Sequence, residues 1–157
     1  MKNKLIIAVL TLIFSLSGSI YSQTDRKEER EKFNPATDPF KELQTAVTGA
    51  NKLNKRIILD VGGEWCIWCH RIDAFIDQNS DIKKYLNKHF IVVKINYSEE
   101  NKNEKFLSQY PKVDGYPHFF VLDKNGKLLN SQNTGLLEKE KSYDREKFMT
   151  FLKKWTD

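Results

Sequence analysis

The chain has two cysteines, and both lie in Cys66-Ile-Trp-Cys69. This motif directly follows the apolar run Arg56-Ile-Ile-Leu-Asp-Val61 and precedes a stretch with Ile72, Phe75 and Ile76 at helical spacing. A strand must therefore end and a helix begin within a few residues, with the thiols at the junction. Two intervening residues put both sulfurs on one helical turn, close enough to bridge, while the helix N-terminus stabilises the first thiolate. Cys66 is the candidate nucleophile, the more acidic and more exposed thiol, and Cys69 the resolving one. Disulfide exchange is the chemistry that this placement suits.

The first residues limit where that chemistry takes place. Lys2 and Lys4 precede a nearly uninterrupted apolar stretch over residues 5–16, which ends in Ser17, Gly18, Ser19 and Ser22. A charged start, a short apolar core and small residues are the pattern of a secretory signal, assigned here to residues 1–22. The core falls short of the roughly 20 residues that a permanent membrane span needs. No cysteine stands near residues 19–23 to carry a lipid. Losing Lys2 and Lys4 lowers the formal charge from +5 to +3, and the remaining lysines are interleaved with Asp and Glu. Neither a nucleic-acid partner nor a membrane-surface role is favoured by that balance. Exported proteins usually scatter their cysteines as staples, so a pair three apart points to chemistry.

Residues 23–37 are charged and almost free of apolar side chains, which predicts a tether between the exit point and a domain over 38–157. Asp38-Pro39 supplies an N-cap and a first-turn proline for a helix over 39–54, with Phe40, Leu43, Val47, Ala50 and Leu53 at helical spacing. Residues 56–61 and 90–96 read as strands buried on both faces. A capped helix over 80–88 lies between them, and a polar helical stretch over about 100–109 follows. Residues 118–123 and 127–130 form a hairpin around Lys124-Asn-Gly126. Asp144 caps a last helix with Phe148, Phe151, Leu152 and Trp155 on its apolar face. The order gives an α/β sandwich with a central mixed sheet of about four strands flanked by helices.

This order resembles the thioredoxin superfamily from about residue 38 to 156, with Cys-x-x-Cys after the first strand and a proline opening the hairpin strand. Asp60 stands six residues before Cys66, where thioredoxins carry a buried acid. Lys94 matches the lysine beside that acid, and Tyr116-Pro117 the family's cis-proline and the residue ahead of it, which presents backbone to an extended substrate. The stretch Gly62-Gly-Glu-Trp-Cys-Ile-Trp-Cys-His70 looks closest to exported bacterial thioredoxin-like proteins. The resemblance implies catalytic roles for Cys66, Cys69, Asp60 and Lys94, and substrate contacts from Trp65, Trp68, Tyr116 and Pro117. It implies protein thiols and disulfides as partners, a membrane redox partner that recycles the pair, and no metal or organic cofactor. Retention of the acid and its lysine favours a reductase in the periplasm.

Other readings stay open at this stage. Half a zinc site would need ligands from His70, His89 or His118. Cys66-Ile-Trp-Cys69-His70 also spells the c-type haem attachment pattern. A non-catalytic module could hold extended peptides between Trp65, Tyr116 and Pro117. Asp60 could be a solvated strand end, and His70 an exposed first-turn residue.

Overall fold

Asp38 accepts a hydrogen bond from the Phe40 N–H at 3.0 Å and Pro39 takes the first helical position, so α1 (Pro39–Leu53) starts where the capping residues direct. It ends at Asn54, which adopts the left-handed conformation at φ 51°. The computed structural model describes residues 30–156. The expected signal over 1–22 and the first part of the expected tether lie outside the described residues. After α1 the chain forms β1 (Arg56–Gly62), α2 (Ile67–Gln78), α3 (Ser80–His89) and β2 (Phe90–Asn96). It continues through the short helix α4 (Glu104–Leu107), β3 (His118–Leu122) and β4 (Leu128–Asn133) to a 3-10 turn over Thr134–Leu137. The strand pair β5 (Glu138–Lys139) and β6 (Ser142–Tyr143) and helix α5 (Arg145–Lys154) complete it.

The main sheet runs β2-β1-β3-β4, with β1 parallel to β2 and the other pairs antiparallel. It is the mixed four-stranded sheet between helices that the sequence implied. Side-chain alternation divides two cores. Ile57, Leu59 and Val61 point with Val93, Ile95, Phe120 and Leu122 toward Ala46 and Ala50 of α1. Ile58, Phe119 and Val121 point to the other face, against Ile72, Phe75, Ile82, Leu86, Phe148, Phe151 and Leu152 of α2, α3 and α5. Asp60 shares the parity of Ile58, so it faces α2. In the register of β1 with β2, it stands opposite Lys94.

Four expectations are corrected. Residues 30–37 are not a free tether, because Phe33 is 2% exposed and packs against the cysteines. Strand β2 is not buried throughout: Ile91 and Lys94 are half-buried and Val92 is 36% exposed, and among the described residues β1 alone pairs with it. The helix over 100–109 shrinks to the single turn of α4. Asn side chains compete for the backbone there: Asn96 Nδ2 donates to Asn101 O, Asn101 Oδ1 accepts from the Asn103 N–H, and Asn103 Nδ2 donates to Asn96 O. The hairpin strand runs on to Asn133, beyond the expected Asn130.

Candidate active site

Cys66 is the N-cap of α2, and its Sγ accepts a hydrogen bond from the Cys69 N–H at 3.1 Å. One turn of helix brings the two Cα atoms to 5.2 Å and the sulfurs are joined in a disulfide. Cys66 is 4% exposed and Cys69 fully buried, so an incoming thiolate meets Cys66 first. The glycines before the motif are needed for close approach. A Cβ on Gly62 would stand 2.5 Å from Cys69 Sγ, and one on Gly63 would stand 2.7 Å from Tyr97 O.

Beneath the pair is a buried ion cluster. Lys94 Nζ donates to Asp60 Oδ2 at 2.7 Å and to Asp73 Oδ1 at 2.6 Å, with all three side chains at most 10% exposed. Asp60 Oδ1 is buried and has no hydrogen-bond partner among the described residues. Burial lifts the Asp60 carboxyl above the ordinary carboxylate range, against the opposing pull of Lys94. Burial alone would lower the Lys94 pKa, but the attraction of Asp60 and Asp73 outweighs it and holds the ammonium above its usual range. Asp60 is therefore a buried acid and not a solvated strand end. A cavity of about 700 Å³ along the β2 edge reaches Asp60, Asp73 and Lys94, with Arg30 also lining it.

The outer wall is aromatic. Trp65 is 59% exposed, donates through Nε1 to Tyr97 O at 2.7 Å, and meets Tyr116 edge-on at 5.7 Å. Tyr116 stacks on Tyr97 at 4.8 Å. The Tyr116–Pro117 peptide bond is cis. Thr134, itself buried, donates its hydroxyl to Pro117 O. Trp68 packs against the cysteine cluster as Tyr116 does, and is half-buried edge-on to Tyr143 with the Arg71 guanidinium 4.4 Å above its ring.

The structure thus brings Cys66, Cys69, Trp65, Tyr116 and Pro117 to one end of the sheet, with Asp60 and Lys94 below. The histidines are engaged elsewhere. His70 Nε2 lies 2.8 Å from Glu64 O, His89 stacks on Tyr85, and His118 Nε2 lies 2.8 Å from Ser131 Oγ. Among the described residues no group of three or more His, Cys, Asp or Glu side chains is placed to hold a metal ion. Nor is any described helix long and apolar enough to cross a membrane.

A family model described as a thioredoxin-like domain matches residues 43–148. The chain belongs to that family. It is 32% identical over 76 residues to the disulfide bond reductase DsbH of Chlamydia pneumoniae, a match covering 43% of this chain and 45% of the relative. It is 24% identical over 94 residues to the thiol:disulfide interchange protein DsbD of Colwellia psychrerythraea, covering 59% of this chain and 15% of that protein. The matched stretches therefore span less than half of these relatives. The fold superposes on a disulphide isomerase from Xylella fastidiosa Temecula1 with a TM-score of 0.69 at 24% identity, covering 82% of this chain and 98% of the other.

Several residues of this thioredoxin-like site escaped the sequence reading. Asp73, four positions after Cys69, lies on the same face of α2, and that spacing was a usable signal. Arg30 and Glu64 form an ion pair beside it, and Arg30 also reaches Asp73 at 3.0 Å. Phe33 and Thr134 carried no local signal.

Proposed function

We propose that the protein is an extracytoplasmic thiol–disulfide oxidoreductase that works as a reductase on protein disulfides. The observation that carries this reading is the disulfide at the N-cap of α2, with the buried Asp60 carboxyl whose Oδ1 has no hydrogen-bond partner among the described residues. In the reduced protein the Cys66 thiolate, stabilised by the Cys69 N–H and the helix N-terminus, attacks one sulfur of a substrate disulfide and expels the other as a thiolate. Asp60 takes the proton from Cys69, whose thiolate then attacks Cys66 Sγ. This releases the second substrate thiol and leaves the Cys66–Cys69 disulfide, so two electrons pass to the substrate. Lys94 limits how far burial raises the Asp60 pKa, and the cavity on the β2 edge gives the proton a route to solvent.

Trp65, Tyr116 and the cis Pro117 line the place where an extended substrate segment docks, and Trp68 supports the start of α2 from behind. A membrane electron donor keeps the pair reduced in an oxidising compartment. The apolar residues 5–16 support export, and the similarity to a relative named as a disulfide bond reductase supports the direction.

A redox titration of the purified chain against glutathione tests the direction. A reductase should have a potential nearer thioredoxin's approximate −270 mV than the roughly −120 mV of a strong periplasmic oxidant. Acid quenching of cells followed by thiol labelling should find the pair mostly reduced. A pair found almost wholly oxidised, with a potential near the oxidising end, would overturn the reductase assignment.

A further inference from the structure

The segment ahead of α1 is fixed to both flanks of the cysteine pair. Arg30 binds Glu64, two residues before Cys66, and Asp73, four residues after Cys69. The Phe33 N–H donates to Glu64 Oε1 at 2.8 Å, and Asn101 Nδ2 donates to Pro35 O at 2.8 Å. These bonds hold the Phe33 ring, 2% exposed, in a cluster with Cys66 and Cys69. One side of the ring faces the ion cluster, with Lys94 Nζ 4.6 Å from its centroid. Its edge abuts Gly62, where the Cζ would stand 3.0 Å from an added Cβ, beside Cys69 Sγ. The cavity along the β2 edge is lined by Arg30, Asp60, Asp73 and Lys94 but by neither cysteine. Phe33 does not itself line that cavity; Lys94 does, and behind its ammonium the ring fills the space next to the sulfurs.

We propose that residues 30–37 act as a strap whose Phe33 is a positioning residue. It partitions the cavity from the dithiol, leaving Asp60 a route to solvent while keeping Cys69 dry and out of reach of small thiols and oxidants. The inference rests on the assignment of Cys69 as the resolving thiol. It adds a reason for an aromatic residue within an otherwise charged segment. Arg30 is the latch: it crosses from one side of the motif to the other and belongs to no helix or strand, so the strap opens without breaking the sheet.

The test uses the full chain with Cys66→Ser, in which Cys69 is the single thiol, and measures its alkylation by iodoacetamide. Adding Phe33→Ala should raise the rate roughly tenfold or more, because the partition is lost and local opening no longer limits access. Phe33→Leu, which refills the space, should stay within about twofold of the parent, and Arg30→Gln should raise the rate by roughly two- to fivefold. Near-UV circular dichroism identifies the variants that are folded. If Phe33→Ala does not fold, Arg30→Gln and Phe33→Leu decide alone. Labelling of Cys69 that is unchanged in the folded Phe33→Ala or Arg30→Gln proteins overturns the strap. Exchange with oxidised glutathione is measured separately on the unaltered chain. Failure there refutes the oxidoreductase reading, whereas the labelling rates still judge the strap.

Discussion

Replacing Lys94 with methionine should expose the energetics of the buried cluster. The ammonium lies between Asp60 and Asp73 at 2.7 and 2.6 Å, its side chain 7% exposed. Methionine keeps most of the stem's packing and removes the charge. Asp73 retains Arg30 at 3.0 Å, so the loss falls mainly on Asp60. Removing one partner of a buried ion pair typically costs about 3–5 kcal/mol, because the other charge is left uncompensated. Asp60 has a way out: it binds a proton, and its folded pKa, already lifted by burial, rises further. A carboxyl with a folded pKa above its unfolded one favours folding below the unfolded value, and that contribution is lost as pH rises through the folded pKa. The deficit of Lys94→Met should therefore be larger at pH 7.5 than at pH 5, narrowing as pH falls from the variant's Asp60 pKa to the lower, already raised one of the parent. Adding Asp60→Asn removes the stranded charge and should recover most of the roughly 3–5 kcal/mol. Urea melts of the oxidised proteins at pH 5 and 7.5, followed by tryptophan fluorescence, measure all three quantities. Equal losses at both pH values, or a double variant no more stable than Lys94→Met, would refute the account.

Cys69→Ser should accumulate mixed disulfides with client proteins while Cys66→Ser accumulates few, as non-reducing gels of acid-quenched cells would reveal; equal trapping contradicts the attack-then-resolve order. Asp60→Asn should slow resolution of the mixed disulfide by about 10²- to 10⁴-fold and its formation much less, as read by stopped-flow with a model disulfide. Rates unchanged in both steps would remove Asp60 from the proton path. Gly62→Ala places a methyl group 2.5 Å from Cys69 Sγ, and overpacking of this kind should cost about 1–3 kcal/mol in urea melts. A variant as stable as the parent would mean that β1 yields there more readily than its burial suggests.

The legible parts of the structure were those where one local rule dominates. Asp38-Pro39 and Asp144 fixed two helix starts, because a capping side chain needs only its own next residues. Asp144 Oδ1 does accept from the Glu146 and Lys147 N–H groups. The apolar run of β1 indicated two-sided burial, and β1 is indeed covered on both faces. The similar run Phe90-Ile-Val-Val misled because composition cannot reveal how many neighbours a strand has. With β1 on one side and no strand on the other among the described residues, β2 is the edge, and Val92 is 36% exposed. The polar stretch over about 100–109 read as helical, but its asparagines bind the backbone and one turn forms.

In the site itself, Cys66, Cys69 and Asp60 lie within ten residues of one another, so a strand-to-helix junction is enough to assemble them. Lys94 comes from a distant strand, yet parallel register places it opposite Asp60, and the resemblance already named it. Phe33 is a different case. A single aromatic among charged residues has no periodicity, and low apolar content is the ordinary mark of an unstructured segment. Its place is decided by the Lys94 ammonium over its ring, by Glu64 binding its N–H, and by the gap that Gly62 leaves beside Cys69. All three partners lie about thirty to sixty residues away in the chain. A buried residue held by such distant partners leaves no trace in its own neighbourhood, so the segment that closes the site also looked the least structured.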